Sequence, residues 1–182
     1  MTATEISTET TWTTTDSPIG ELTLVADGGR LTGVCFPHHW YRPDAASFGR
    51  RAEGGPGESG FGEVRRQLAE YFTGQRQRFE LPLDARGDEF QRRVWELIDR
   101  IPYGRTATYG GLARELSGEL GRPVLAKDVG AAVGRNPLSV IVPCHRVLGR
   151  DGRLTGYAGG LARKRFLLDL EESAAGPSAK LF

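Results

Sequence analysis

Cysteine is scarce in this chain of 182 residues: Cys35 and Cys144 are its only two, which argues against a secreted disulfide framework. Long hydrophobic runs are also missing, and no stretch approaches the length of a membrane-spanning helix. Residues 1–5 carry neither the basic nor the apolar segment of a signal peptide. We therefore expect a cytoplasmic protein with no membrane partner, in a reducing compartment where a free thiol persists.

No sign of charge is in large excess, because the net charge of the whole chain is +1. The distribution is nevertheless uneven. Residues 1–87 hold 9 Lys and Arg against 12 Asp and Glu, whereas residues 88–182 hold 15 against 11. A basic C-terminal half fits an anionic partner such as DNA, although an ordinary solvated surface fits the charge equally well.

Residues 1–86 are predicted to form an N-terminal α/β domain with a small antiparallel sheet. Alternating apolar residues and Gly-containing turns indicate a three-stranded meander, and apolar residues at helical spacing follow a loop rich in Gly and Pro. The predicted elements are strands at 12–16, 21–26 and 31–36, a flexible loop at 42–62, a helix at 61–73 and an extended piece at 79–83.

Residues 87–172 are predicted to form a mostly α-helical domain, and residues 173–182 a disordered tail. Asp88 can cap a first helix, because its side chain can accept from the exposed backbone N–H groups of the first turn. Helices at 109–116 and 125–134, separated by a Gly-rich stretch, form a helix-turn-helix candidate. A last helix at 163–172 is expected to turn Phe166, Leu167 and Leu170 inward.

The tetrapeptide Pro143-Cys144-His145-Arg146 follows an apolar run that is predicted to be buried. Only a thiolate is nucleophilic, and an adjacent base or cation promotes its formation. The pair also fits a buried structural cysteine beside an unrelated histidine, or a Cys-His acyl hydrolase. Zinc binding with Cys35 and His38 or His39 is disfavoured, because adjacent ligands crowd a tetrahedral metal and no CxxC spacing is present.

Residues 136–147, Asn-Pro-Leu-Ser-Val-Ile-Val-Pro-Cys-His-Arg-Val, resemble the active-site signature of the O6-alkylguanine-DNA alkyltransferases, also called methylated-DNA–protein-cysteine methyltransferases. The resemblance extends from residue 16 to Glu171 and includes the segments at 90–95, 101–104, 108–109 and 155–160. It implies an N-terminal domain like ribonuclease H and single-turnover DNA repair without a cofactor or a metal.

The resemblance also implies a role for each site residue. Cys144 would accept the alkyl group, His145 would act as base through a water, and Glu171 would orient the imidazole. Asn136 would shape the turn, and Tyr109 would donate a proton to the departing guanine. The remaining implied substrate contacts are the backbone carbonyls of Cys144 and Val147, the stacking ring of Tyr157, and the pocket residues Ala158 and Val133.

The partner implied by the resemblance is duplex DNA carrying O6-alkylguanine, with the damaged base flipped out and the helix at 125–134 in the minor groove. The small residues of that helix permit close approach, and the implied DNA contacts are Ala126, Lys127, Gly130, Arg135 and Tyr109. Lys127 stands where most of the family has an intercalating Arg, and Ala158 where Ser or Gly is frequent. We expect a monomer; clustering on DNA and activity on O4-alkylthymine stay open, as does an alkylation sensor that binds lesions without repairing them.

Overall fold

The computed structural model describes residues 9–39, 44–52 and 60–175. Its N-terminal part is built on three antiparallel strands, β1 (Thr11–Thr15), β2 (Leu22–Asp27) and β3 (Arg30–Cys35). Their tight connections follow from Gly20, Gly28 and Gly29, all of which have positive φ. The predicted meander is therefore confirmed, with strand ends that differ by one residue.

The predicted flexible loop at 42–62 is partly wrong. A short 3-10 helix (Ala45–Phe48) begins after Asp44, whose side chain accepts from the backbone of Ala46. Strand β4 (Arg50–Arg51) then pairs in parallel with β1, so the sheet has the order β3-β2-β1-β4. The Gly-rich centre of the loop, residues 53–59, lies outside the described residues.

Helix α1 (Gly62–Phe72) and helix α2 (Glu89–Asp99) agree with the predicted positions. Asp88 caps α2 as expected: its side chain accepts from the backbone N–H of Gln91, and the Gln91 side chain accepts from the backbone N–H of Asp88. This reciprocal capping box satisfies two donors that a helix start otherwise leaves open.

Helices α3 (Tyr109–Leu120) and α4 (Ala126–Gly134) form the predicted helix-turn-helix. The predicted end of α3 at residue 116 is wrong, because the helix continues to Leu120 and stops at Gly121, which adopts the left-handed conformation. The Ser117 hydroxyl donates to the Ala113 carbonyl at 2.7 Å and accepts from the backbone N–H of Val124 at 2.9 Å. It therefore closes the turn from within α3 instead of ending the helix.

Helix α5 (Leu161–Ala175) ends the described chain and overturns two predictions. Leu167 is buried and Leu170 packs against the core, as predicted, but Phe166 is 39% exposed. The other residues that α5 buries are Lys164 and Glu171. The disordered tail predicted for residues 173–182 is wrong for residues 173–175, which are helical; residues 176–182 lie outside the described chain. In the part of the chain that the structure describes, no helix is long and apolar enough to cross a membrane.

The two halves share one hydrophobic core and meet beside the cysteine segment. The Val34 N–H donates to the Pro137 carbonyl at 2.8 Å, and the Ser139 N–H donates to the Val34 carbonyl at 3.2 Å. Two short parallel strands, β5 (Ala107–Thr108) and β6 (Val147–Leu148), flank the other side of this segment. The chain before Cys144 is thus fixed by contacts from both halves.

Candidate active site

Cys144 is buried at the start of a 3-10 turn (Cys144–Arg146) and lines a cavity of about 60 Å³. The cavity contains five of the sequence-predicted residues besides the cysteine: Tyr109, Gly130, Val133, Tyr157 and Ala158. Burial raises the pKa of the Cys144 thiol, while hydrogen bonding from Asn136 and the positive charge of Lys164 act in the opposite direction. The thiol therefore needs a proton acceptor before it can attack.

His145 provides a candidate acceptor, because its ring is fully buried and only one of its nitrogens is engaged. Nε2 lies 2.7 Å from Oε1 of Glu171, whereas Nδ1 has no hydrogen-bond partner among the described residues. Burial lowers the pKa of His145, an effect that Glu171 opposes, so the imidazole is neutral near pH 7. A neutral ring with its Nε2 proton held by a carboxylate has a free lone pair on Nδ1.

Glu171 is 1% exposed and is the centre of a dense hydrogen-bond network. The Arg146 guanidinium donates to both carboxylate oxygens at 2.9 Å, and the backbone N–H of Gly104 donates to Oε2 at 3.1 Å. The hydroxyl of Tyr71, from α1, donates to Oε1 at 2.6 Å. Burial favours the neutral acid, but His145 and Arg146 outweigh it and lower the pKa of Glu171 to about 2, so the carboxylate stays charged.

Asn136 closes the turn that leads to the cysteine. Its side-chain NH2 donates to the Val142 carbonyl at 2.9 Å, and its side-chain oxygen accepts from the Leu138 N–H at 3.0 Å. Within this turn Val140 has φ of 72°, a left-handed conformation that is unfavourable for a β-branched residue. The amide of Asn136 therefore stabilises a strained backbone just before the thiol.

Lys164 is a fully buried cation close to the cysteine. Its ammonium donates to the backbone carbonyls of Val147 at 2.5 Å, Thr155 at 2.9 Å and Gly156 at 3.2 Å. Burial lowers its pKa to about 8, and the nearby Cys144 opposes this shift. The ammonium joins Val147, after the cysteine, to Gly156, which lines the cavity. The Val147 carbonyl does not line the cavity, and one of its two acceptor positions is already occupied by Lys164.

Two tyrosines flank the thiol in the cavity. Burial and the proximity of Cys144 raise the pKa of Tyr109 to about 12, so its hydroxyl is a proton donor at neutral pH. Tyr157 packs edge to face on Phe36 of the N-terminal half, with ring centroids 5.9 Å apart. A Cβ on Gly159 would lie 2.6 Å from the Phe36 ring, so this contact requires glycine. The N-terminal half thereby supports the wall that Tyr157 forms.

Helix α4 places the other predicted DNA contacts in different surroundings. Ala126 and Lys127 lie exposed at its beginning, whereas Gly130 faces the Tyr109 ring inside the cavity. Arg135 follows the helix and lines a separate groove of about 450 Å³ with Asp88 and Arg122. The predicted DNA contacts are thus divided between an exposed helix start, the cavity and this groove.

Cavity size does not identify the site. The 450 Å³ groove and a second one of about 340 Å³ beside Tyr103 are both larger than the cavity at Cys144, but neither includes the thiol. Among the described residues, no group of three or more His, Cys, Asp or Glu side chains is placed to hold a metal ion.

The site network also contains Tyr71, Lys164 and Gly104, for which the sequence predicts no role. Tyr71 lies 74 residues from His145 and 100 from Glu171, and no periodicity relates such distant positions. Lys164 lies one helical turn before the buried Leu167, and this spacing is the one sequence signal that it shares the buried face of α5. Lysine is almost never fully buried without a partner, so the pattern assigned it to the surface.

The fold and the site define a class of proteins in which a buried cysteine lies between an α/β half and a helix-turn-helix half. Two family models agree with this architecture. The ribonuclease-like domain of 6-O-methylguanine DNA methyltransferase matches residues 10–85, and the DNA binding domain of the same family matches residues 89–173. The chain therefore belongs to the 6-O-methylguanine DNA methyltransferase family.

Relatives are similar over nearly the whole chain. The methylated-DNA–protein-cysteine methyltransferase of Mycobacterium bovis is 44% identical over 169 residues, covering 93% of this chain and 96% of the relative. The protein of the same name from Methanosarcina acetivorans is 41% identical over 167 residues, covering 87% and 96%. A crystal structure of Mycobacterium tuberculosis OGT in complex with DNA superposes with a TM-score of 0.79 at 42% identity, covering 90% of this chain and 94% of that one. The predicted family and its class of reaction, alkyl transfer in DNA repair, are confirmed.

Proposed function

We propose that this protein repairs duplex DNA by moving an alkyl group from O6 of guanine to the sulfur of Cys144, once per molecule. The observation that carries the proposal is the cavity at Cys144. One thiol and one phenol that stays protonated line this cavity, around a space that a small substituent can enter. The residue next to the cysteine, His145, has an imidazole with an open nitrogen. The names of the relatives, methylated-DNA–protein-cysteine methyltransferases, support the same reaction.

The chemical step is a direct displacement at carbon. The thiol proton passes through a water to Nδ1 of His145, and the sulfur then forms a bond to the alkyl carbon as the bond from that carbon to O6 breaks. The departing electron pair stays with guanine, which takes a proton from the hydroxyl of Tyr109. Glu171 remains ionised and stabilises the imidazolium. Afterwards the imidazolium releases its proton to solvent and the Tyr109 phenolate takes one up, so no net proton is consumed.

The buried thiol requires the guanine to leave the base stack. O6 of a paired guanine lies inside the duplex, so the nucleotide must rotate out of the stack toward the cavity, where Tyr157 offers a face for stacking and the Cys144 carbonyl can accept from the exocyclic amine. The Val147 carbonyl, which the resemblance also implies as an acceptor, is held by Lys164 and does not line the cavity. Flipping costs a few kcal/mol, and the cost is smallest for a damaged pair. The exposed start of α4 supplies the minor-groove contact, with Ala126 allowing close approach and Lys127 at the vacated position.

One turnover follows from what the site contains. Breaking the thioether would require a second nucleophile aimed at the alkyl carbon, and no described residue of the cavity besides Cys144 is suited to that role. A Cys-His acyl hydrolase would require repeated turnover, and a lesion sensor has no use for an acceptor thiol. We further propose a cytoplasmic monomer, in keeping with the reduced thiol of Cys144 and with the presence of all the proposed site residues in one chain.

The experiment is to incubate the protein with duplex DNA containing one O6-methylguanine, then to record the intact mass and a peptide map. We expect one added methyl group per chain, on the peptide that contains Cys144. Cys35, which is buried in β3, provides an internal control and should stay unmodified. Repeated turnover by a stoichiometric amount of protein, or methylation of Cys35, would contradict the proposal.

A further inference from the structure

Helix α1 of the N-terminal half sends one side chain into the catalytic network. Tyr71 is fully buried, and its hydroxyl lies 2.6 Å from Oε1 of Glu171 and 3.3 Å from Nε2 of His145. No other described side chain of the N-terminal half has a hydrogen bond to either residue. The proton acceptor of the C-terminal half is therefore in contact with a hydroxyl that a different domain supplies.

The direction of each hydrogen bond follows from the charge of Glu171. An ionised carboxylate can only accept, so the proton of the Tyr71 hydroxyl points to Oε1. The phenolic oxygen then has only lone pairs to offer to Nε2 of His145. Both neighbours of Nε2 are consequently acceptors, which fixes the imidazole proton on Nε2 and leaves the lone pair on Nδ1.

We propose that Tyr71 is a positioning residue, which fixes the tautomer of His145 and moderates how strongly Glu171 holds the imidazole proton. The inference rests on the proposed role of His145 as proton acceptor for Cys144. It assigns to the N-terminal half a part in the chemistry itself, in addition to its packing against the cavity wall. The mechanism is local, because Tyr71 contacts the ring that accepts the proton both directly and through a single carboxylate, that of Glu171.

Hydrogen-bond donors compete for Oε1 of Glu171, and this competition determines whether loss of the Tyr71 hydroxyl strengthens or weakens the hold on the imidazole proton. The Tyr71 hydroxyl and the Nε2 proton share this oxygen, so removing the hydroxyl leaves Glu171 free to hold the imidazole proton more tightly. Loss of the weaker 3.3 Å contact acts the other way, but the 2.6 Å contact is much the shorter and dominates. The titratable or charged groups around His145 are Tyr71 from α1, Tyr103 from the loop after α2, Cys144 and Arg146 from its own turn, and Lys164 and Glu171 from α5.

The test is the pH dependence of alkyl transfer in Tyr71→Phe, with Tyr103→Phe as matched control. The Tyr103 ring packs on Tyr71 with centroids 6.0 Å apart, but its hydroxyl has no hydrogen-bond partner within the described ranges. Transfer is followed with free O6-benzylguanine, so DNA binding does not enter. We expect Tyr71→Phe to move the rising limb of the rate profile upward by about half to one pH unit, with a loss of about three- to tenfold below it. Tyr103→Phe should overlay the wild type.

An unshifted profile in Tyr71→Phe overturns the proposal, as does a uniform loss of rate at every pH, which a purely structural role would produce.

A second measurement uses the wild-type chain and needs no variant to fold: ¹⁵N NMR of labelled histidine, with the His145 signal assigned by comparison with His38 and His39. Protonation on Nε2 is expected, and a proton on Nδ1 overturns the proposal. Absence of methyl from Cys144 in the wild type would instead refute the proposed function, so the two failures are distinguishable.

Discussion

The network around Glu171 and the exposed start of α4 are built in opposite ways. Glu171, His145 and Lys164 are almost completely buried, and each is held by hydrogen bonds of 2.5–3.3 Å. On α4, by contrast, Lys127 is exposed, and Leu125 just before the helix is 53% exposed. The proposed chemistry thus relies on fixed geometry, whereas the proposed DNA contact at the start of α4 relies on shape and charge with few directional contacts.

The difference has an energetic consequence. Removing one partner of a buried ion pair typically costs about 3–5 kcal/mol, because an uncompensated charge stays in the interior. An exposed pair such as Arg100 with Glu119, 3.3 Å apart, contributes about 0–1 kcal/mol. Similar substitutions in the two regions should therefore have very different effects.

The largest effect is expected for Glu171→Gln. The amide leaves the Arg146 charge unpaired and holds the His145 proton poorly, so alkyl transfer should slow about a hundredfold or more, and the free energy of unfolding should fall by about 3–5 kcal/mol. Affinity for undamaged duplex should not change. Single-turnover rates, urea unfolding and a DNA titration measure these quantities.

Glu119→Gln is the control for that substitution, because it neutralises an exposed carboxylate in the same half of the chain. It should leave rate and stability nearly unchanged. If iodoacetamide modifies Cys144 equally fast at pH 6.5 in wild type and Glu171→Gln, then Glu171 and His145 do not act as a unit on the thiol.

Lowering the pH should neutralise Glu171 in the wild type and thereby remove its contribution to stability without any substitution. The pKa of Glu171 falls from 4.5 to about 2 in the folded protein, so the unfolded chain binds a proton more readily. The stability that this group contributes is complete above pH 4.5 and is lost as the pH falls toward 2. Thermal unfolding of wild type and Glu171→Gln over this window should converge at the acid end, and parallel curves would contradict the assignment.

A smaller effect is expected for Lys164→Met, which keeps most of the apolar stem and removes the ammonium. Three backbone carbonyls lose their shared donor, so we expect a loss of about 1–3 kcal/mol in stability and a roughly tenfold slower transfer, since the cavity wall at Gly156 is released. Arg165→Met, at the exposed neighbouring position, should change neither. A wild-type transfer rate in Lys164→Met would show that the ammonium does not position the cavity wall.

Local signals in the sequence were enough for the fold class and for the cysteine segment itself, whereas Tyr109 and Tyr157 of the cavity came from the family resemblance. The Asp88 capping box, the glycine turns of the meander and the segment from Asn136 to His145 all depend on neighbours within a few residues. The family resemblance supplied Glu171, which local pattern alone does not connect to His145. The structure places both residues as the resemblance implied, and their roles remain predictions.

The remainder depends on distant contacts. The length of α3 follows from a hydroxyl that bonds both its own helix and the turn beyond, and the inward face of α5 follows from carbonyls that attract Lys164. Hydrophobic periodicity ranks Phe166 above Lys164 as an inward residue, so it fails where a buried cation has three acceptors. The role of Tyr71 could not be predicted either, because its hydrogen-bond partners are 74 and 100 residues away in the sequence.

The smallest effect on the transfer rate is expected for substitutions of Lys127, which lies at the exposed start of α4. A guanidinium could stack on the bases that flank the vacated position, whereas an ammonium offers only charge and a flexible stem. Stacking of a base on a side chain contributes about 1–3 kcal/mol, and only part of that difference should appear in the rate. We expect Lys127→Arg to raise the transfer rate on duplex O6-methylguanine about threefold and Lys127→Ala to lower it by a similar factor.

Free O6-benzylguanine separates flipping from chemistry, because it enters the cavity without a duplex. Both Lys127 variants should react with it at the wild-type rate, and Arg165→Ala, an exposed change on α5, should leave both substrates unaffected. If neither Lys127 variant alters repair of duplex DNA, this residue does not support the flipped state, and Arg135 becomes the next cation to test. If the free base also reacts more slowly, the exposed helix start is coupled to the buried network, and the separation of the two regions fails.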